Sequence, residues 1–275
     1  MTQMVPPHSM TDHTKIQAQG TVLCNTRLQG DYFRLELSLP EIASLAQAGQ
    51  FVHIRIPDLE GHILRRPFSI FDTDPTAGRL AILYKVVGVG TARLSRVPQG
   101  VTLDVLGPVG RPFSPLPESR SRKSVIVAGG YGCAATFLLA KNAQQPPTVL
   151  IGGRTAGDIL LADEYAGLGC EVHLSTDDGS MGFHGRVTSL LEKIHASAPF
   201  FWLAACGPVP MLKTLAGLMP RLGIAGELSL DQAMCCGVGA CFACVTKVKA
   251  DNEQGWTYSR ICAEGPVYPA ESLVF

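Results

Sequence analysis

Residues 232–275 carry the run MCCGVGACFACVTKV at 234–248 and one more cysteine at 262. Cys235, Cys236, Cys241, Cys244 and Cys262, five of the nine cysteines, therefore crowd into a stretch too short to build a core of its own. Such a stretch needs a staple. Counted from Cys236, the thiols follow C-x4-C-x2-C and are joined by the distant Cys262. Structural zinc sites usually offer two short C-x2-C-like pairs. Three thiols on one loop plus a single remote one is the plant-type [2Fe–2S] spacing. Gly237, Gly239, Ala240 and Ala243 suit it, because a loop around a cluster turns tightly and brings backbone N–H groups toward sulfide. Cys236, Cys241, Cys244 and Cys262 are the expected metal ligands, with structural zinc or unligated thiols as the alternatives. Cys235 falls outside the spacing and is expected to be a small non-ligand.

An odd cysteine count with no export signal argues against a disulfide framework. The start, MTQMVPPHSMTDHTK, lacks the apolar core of a signal peptide. Residues 1–14 are expected to be a disordered tail, and Met10 is a second candidate start. No apolar run approaches the roughly 20 residues of a membrane span, so no membrane is expected and the cytoplasm is the expected compartment. Formal net charge is +0, which gives no reason to expect nucleic acid or anionic lipid as a partner. Mean hydropathy is +0.19, slightly apolar, which leaves room for a covered partner face.

A chain of 275 residues fits two domains and an appendage. Residues 15–113 are short runs of β-branched and aromatic residues punctuated by Gly, Pro, Asn and Asp, as in a barrel or sandwich. Only EIASLAQA, at 41–48, reads as helix there. SPLPESRS, at 114–121, suits a linker. From 122 to about 225, buried-type strands (KSVIVAGG, TVLIGGR, CEVHLST, FFWLAACG) alternate with helices (TFLLAKNAQ, DILLADEYAGLG, GRVTSLLEKIHAS, PVPMLKTLAGLMPRLG). That alternation implies a doubly wound parallel sheet. Residues 226–275 form the cysteine module, although GELSLDQ is also a candidate last strand of the sheet.

Two pieces of the β region suit a flavin nucleotide. RRPFSI places Arg66, Pro67, Phe68 and Ser69 on one strand: a cation for pyrophosphate, a ring to stack and a hydroxyl for a ring edge. LYKVVGVGT offers the Tyr84 ring, then Gly88, Gly90 and Thr91 opening a helix whose N-terminus favours phosphate. In VIVAGGYGCAAT, Gly129, Gly130 and Gly132 make a strand–turn–helix where a pyrophosphate can approach, or simply a tight βα turn. CGPVPM, with Cys206 and Gly207, marks another strand end, where ligands of such sheets bind. Asp177 and Asp178 are ribose contacts or a solvated loop, and Arg154 is a candidate for a 2′-phosphate. The histidines, His53 among them, form no triad or metal set and are expected to be structural or exposed.

The order of RPFS, glycine turn, CGP and C-x4-C-x2-C resembles the ferredoxin–NADP reductase superfamily. More closely it is similar to the electron-transfer, iron–sulfur subunits of type B dihydroorotate dehydrogenases, from about residue 15 to 275. MCCGVGACFACVTKV and CAEGPVY carry most of that likeness. The resemblance implies an antiparallel FAD-binding β-barrel at 15–113, an α/β NAD-binding domain at 122–225 and a small C-terminal [2Fe–2S] module at 226–275. It assigns Cys236, Cys241, Cys244 and Cys262 to the cluster. Arg66, Pro67, Phe68, Ser69, Leu83, Tyr84, Lys85, Gly90 and Thr91 go to FAD. Gly129, Gly130, Gly132, Cys206 and Gly207 fall to NAD, with Cys206 a candidate for aligning the nicotinamide. It also implies an FMN-containing catalytic partner subunit, in a heterotetramer of two of each, passing electrons from dihydroorotate through [2Fe–2S] and FAD to NAD⁺ for pyrimidine synthesis. The sequence departs from the family at Ala128, Ala134 and Ala135, where a glycine and prolines are usual, and at Cys235, where alanine is common. A reductase subunit serving a sulfide dehydrogenase, hydrogenase or oxygenase is the near alternative. A non-redox, zinc-stapled nucleotide binder is the distant one.

Overall fold

The computed structural model describes residues 15–59, 61–119 and 122–275. The expected tail at 1–14 and the end of the expected linker, 120–121, lie outside the described residues. The chain opens with β1 (Ile16–Arg27), β2 (Tyr32–Ser38), α1 (Pro40–Ala43), β3 (Phe51–Ile54), β4 (Arg66–Asp74), β5 (Arg79–Lys85), α2 (Val89–Leu94) and β6 (Thr102–Val109). These six strands close into a barrel, in the order β1-β2-β5-β4-β3-β6, with every neighbouring pair antiparallel. Burial along β2 shows why: Leu35 and Leu37 are buried while Arg34, Glu36 and Ser38, which alternate with them, are less so, as expected of a strand with one face on a core. The helix expected over 41–48 is only one turn long. After Ala43 the chain tightens through an i→i+3 bond from Leu45 N–H to the Ile42 carbonyl, and the Gln50 side chain accepts the Gln47 N–H.

The second part comprises β7 (Ser124–Gly129), α3 (Gly132–Lys141), β8 (Thr148–Gly153), α4 (Ala162–Gly167), β9 (Glu171–Thr176), β10 (Phe183–His184), α5 (Val187–Ser197), β11 (Trp202–Cys206), α6 (Val209–Leu222) and β12 (Ala225–Ser229). All six residues of β7 are buried, because helices cover both faces of its sheet. The segment DILL, expected to open an α-helix, does not: Asp158 ends a short 3-10 turn, Leu161 adopts φ 62°, and α4 begins only after it. The chain ends with β13 (Val245–Lys249), β14 (Trp256–Arg260), β15 (Val267–Pro269) and β16 (Leu273–Val274).

The sheet order is β10-β9-β8-β7-β11-β12-β15, parallel except that β15 runs antiparallel to β12. The chain winds outward from β7 on one side and returns on its other side at β11. The carboxyl ends of β7 and β11 are therefore the topological switch point. The C-terminal segment was expected to hang off this sheet. Instead it lends a strand to it, and a separate small sheet, β14-β13-β16, packs alongside. Two apolar cores follow. One runs from the barrel under α3 and α4. The other lies under α5 and α6 and continues through Leu228 and Leu230 to Cys244, Ile261, Cys262 and Tyr268. The cysteine segment thus shares a core with the sheet rather than relying on a metal alone. Among the described residues no helix is long and apolar enough to cross a membrane.

Glu227, on β12 and 3% exposed, joins the parts. It accepts the Ser114 N–H (2.8 Å), the Ser114 hydroxyl (3.0 Å) and Arg111 (3.3 Å), all just past the barrel. Removing it leaves three half-buried donor groups without their acceptor. Glu227→Ala should lower unfolding stability by about 2 kcal/mol in urea. Lys123→Ala, which breaks the exposed pair with Glu171 (3.1 Å), should change it by less than about 1 kcal/mol.

Candidate functional site

The loop between β12 and β13 is built around sulfur. The amide N–H groups of Val238 and Cys241 donate to Cys236 Sγ (3.5 and 3.4 Å). Gly239 N–H donates to Cys262 Sγ (3.2 Å), and Cys262 N–H to Cys244 Sγ (3.4 Å). Backbone donors aimed at thiols favour the thiolate, the form that binds metal. Burial alone would raise the Cys236 thiol, but the amides of Val238, Cys241 and Ala240 and the Cys241 side chain bring it down to about 6. Cys262 goes the other way, to about 12, through burial and its neighbour Cys244. Cys244 and Cys262 are buried, Cys236 is half-buried and Cys241 is exposed, so the group has an inner and an outer edge. Among the described residues no three His, Cys, Asp or Glu side chains converge as ligands of one ion would. A binuclear cluster asks for only two thiols per iron. Cys235 is half-buried and receives none of these N–H groups.

The loop backbone is held from both sides. Gly237 has φ +69°, and a methyl group there would lie 2.6–2.8 Å from Nε2, Cδ2 and Cε1 of His53 on β3, so only glycine fits. Opposite it, Arg260 donates to the Gly239 carbonyl (2.9 Å), lies 5.1 Å from the Phe242 ring centre and pairs with Glu264. Val238 and Phe242 beside the outer edge are exposed.

A cavity of about 250 Å³ opens where the barrel meets the sheet ends. The structure brings Arg66, Pro67, Phe68, Ser69, Tyr84, Lys85 and Thr91 to its wall. Leu83 and Gly90 are not on it. Leu83 is buried on the face of β5 opposite to Ile82 and Tyr84, and Gly90 makes room for Arg66, whose Nε would sit 3.3 Å from a methyl there. Tyr84 is fixed rather than free to stack. Its ring lies against Phe33 (5.6 Å, 21°) and edge-on to Phe68 (5.7 Å, 63°), and its hydroxyl donates to Asn25 (2.9 Å). Phe51, Ser229, Leu230, Met234 and Pro266 complete the wall, so the cavity abuts the cysteine segment.

A larger cavity, about 730 Å³, lies over the switch point. Gly129, Gly130, Gly132, Cys206 and Gly207 all line it, as do Arg154 and Asp177. Asp178 instead closes its own turn by accepting from Ser180 N–H (2.9 Å) and Oγ (2.6 Å). Most of these glycines are small for packing reasons. A methyl group on Gly132 would strike the Cys206 carbonyl at 2.2 Å, one on Gly129 would meet Pro208 at 2.7 Å, and one on Gly207 would meet Met211 at 2.5 Å. Gly130, at φ +55° with open space beside it, is the one that leaves room for a ligand.

The two cavities share Lys85, Val87, Tyr131, Cys206 and Asp231. At this junction Tyr131 donates to Asp231 (3.0 Å). Burial raises the Asp231 carboxyl, partly offset by that bond. Burial and the nearby Asp231 push the Cys206 thiol up to about 12, so it stays neutral. Tyr131 and Asp231 were not anticipated. Asp231 lies two residues past the end of β12, in SLDQ, the one signal that marked it. Lys85 donates to Tyr32 (3.2 Å) and pairs with Asp158 (3.4 Å), which ties the barrel to the loop after β8.

Comparison with known proteins agrees with this division. Residues 231–274 match the family model described as the iron–sulfur cluster binding domain of dihydroorotate dehydrogenase B, and 19–113 match the oxidoreductase FAD-binding domain. The match over 231–274 sets aside the zinc reading. The curated protein named "Dihydroorotate dehydrogenase B (NAD(+)), electron transfer subunit" from Fusobacterium nucleatum is 36% identical, covering 92% of this chain and 96% of that relative. The protein of that name from Shouchella clausii is 37% identical, covering 94% and 99%. Among solved structures, the NADH-dependent reduced ferredoxin–NADP oxidoreductase superposes with TM-score 0.79 at 28% identity, over 94% of this chain and 90% of that one. The ferredoxin reductase of carbazole 1,9a-dioxygenase shares the fold, with TM-score 0.63 at 21% identity over 76% and 67%.

Gly237→Ala places a methyl group into the His53 ring and strains a left-handed backbone position. It should lose the iron–sulfur absorbance of the purified chain while FAD stays bound.

Proposed function

From the premise that the chain belongs to the family of dihydroorotate dehydrogenase B electron-transfer subunits, we propose that it carries electrons between a catalytic subunit and NAD⁺ in pyrimidine synthesis. The single observation that carries the reading is the contiguity of the three sites. Met234, two residues before Cys236, walls the smaller cavity, and Tyr131, Cys206 and Asp231 wall both cavities. When bound, FAD exchanges hydride with a nicotinamide and single electrons with a [2Fe–2S] cluster, which is why it belongs between them.

The chain's own residues bind and orient. Arg66 and Thr91 are assigned to the flavin nucleotide's phosphates, and Pro67, Phe68, Ser69 and the fixed Tyr84 to its rings. Lys85 holds Tyr32 and Asp158 together at the mouth of the larger cavity. The neutral Cys206 thiol supplies a small, uncharged floor where nicotinamide and flavin meet. Cys236, Cys241, Cys244 and Cys262 are assigned as cluster ligands, and backbone donors to the sulfurs of Cys236, Cys244 and Cys262 are already in place. No side chain needs to act as general acid or base in electron relay.

The partner is assigned as an FMN-containing subunit that oxidises dihydroorotate, in an assembly of two of each chain. It is assigned to the outer edge of the cysteine loop, where Cys241, Val238 and Phe242 are exposed. An apolar, exposed rim around a redox group suits a covered face.

Cys241→Ser should abolish dihydroorotate-dependent NAD⁺ reduction by the two-subunit complex, measured at 340 nm. NADH oxidation by an artificial acceptor such as ferricyanide should stay within about twofold of wild type. Loss of both activities together with FAD would show that the thiols serve only the fold.

A further inference from the structure

His53 takes no part in the functions assigned so far. It sits within β3, fully buried, with Pro67 of β4 and Leu106 of β6 as its register partners. Neither Nδ1 nor Nε2 has a hydrogen-bond partner. A buried polar group is normally paired, and leaving one unpaired costs free energy that an apolar ring in the same place would not. A purely structural role therefore does not account for an imidazole here.

Its neighbours indicate what the ring serves. On one side is Phe51, whose ring centre lies 5.5 Å away and which walls the smaller cavity. On the other is Gly237, next to Cys236, with no space for a side chain between them. The imidazole is thus wedged between the flavin-side wall and the cysteine loop. Burial, with the charge of Arg65, lowers its pKa to about 4, so the ring is neutral and carries one N–H. Cluster sulfurs are acceptors, and they gain negative charge on reduction.

We propose that His53 is a positioning residue of the iron–sulfur site: its imidazole seats the cysteine loop against the flavin-side wall and gives its single N–H to sulfur of the bound cluster. The proposal rests on the assignment of the four thiols to a [2Fe–2S] cluster. A donor to that sulfur stabilises the reduced state, so it raises the cluster's potential.

The test uses the full chain with FAD and cluster bound, comparing wild type with His53→Phe and His53→Gln. The readouts are FAD and iron content, the EPR spectrum of the dithionite-reduced cluster and its midpoint potential. His53→Phe should keep both groups, shift the potential negative and alter the EPR line shape. His53→Gln, which retains an N–H donor, should recover part of the shift. A wild-type potential and spectrum in His53→Phe would overturn the proposal. If both variants lose FAD, pulsed EPR of wild type labelled with ¹⁵N-histidine decides the matter. A histidine nitrogen coupled to the reduced cluster is expected, and spectra identical with and without the label overturn the role. A wild-type chain that binds no iron overturns the cluster assignment itself, and this proposal with it.

Discussion

The Gly265 carbonyl accepts the Arg111 N–H as the chain leaves the barrel, and two residues on, β15 pairs antiparallel with β12. Leu230 N–H, just past β12, donates to the Pro266 carbonyl. Gly110 lets this joint close, since a methyl group there would meet Pro266 at 2.5 Å and Phe51 at 2.9 Å. Barrel, sheet and cysteine segment meet within these few residues. Both cavities and the cysteine loop depend on that joint, because each is walled by residues from more than one part.

The consequence is chemical. A nicotinamide delivers electrons in pairs and an iron–sulfur cluster takes them singly, so the group that converts between them must touch both. A chain of independently tethered modules would leave that contact to chance encounters. Here the C-terminal segment is built into the second core through Leu228, Leu230, Ile261 and Tyr268, and Glu227 ties the same strand back to the barrel exit. Fixed distances between sites are the structural requirement of a relay, and shared strands and shared core supply them.

Much of this was legible in the sequence. The short β-branched and aromatic runs of the barrel, the strand–helix alternation and the C-x4-C-x2-C spacing each carry a local signal that needs no tertiary knowledge. The misreadings have physical causes. DILL has a helical composition, but Leu161 turns left-handed and only the residues after it form an α-helix. Gly129 and Gly132 read equally as an approach for a pyrophosphate or as a tight βα turn, and only the structure shows the β7 and β11 turns pressed together there. The cysteine segment was expected to need a metal staple, because nothing local reveals that VYP will join a distant strand. Tyr131 and Asp231 stand a hundred positions apart, and no spacing rule links them. His53 is one of several scattered histidines in the sequence, and only burial, and Gly237 pressed against it, set it apart.

The contiguity of the three sites is the central claim, and single-turnover reoxidation tests it most directly. The isolated chain, reduced with one equivalent of dithionite, which supplies the two electrons per molecule that one NAD⁺ can take, is mixed anaerobically with excess NAD⁺. Flavin is followed by absorbance, and the cluster by EPR of rapidly frozen samples. Both should reoxidise within one molecule, at rates independent of protein concentration. Flavin that reoxidises while the cluster signal persists, or cluster oxidation that scales with protein concentration, would contradict a fixed relay.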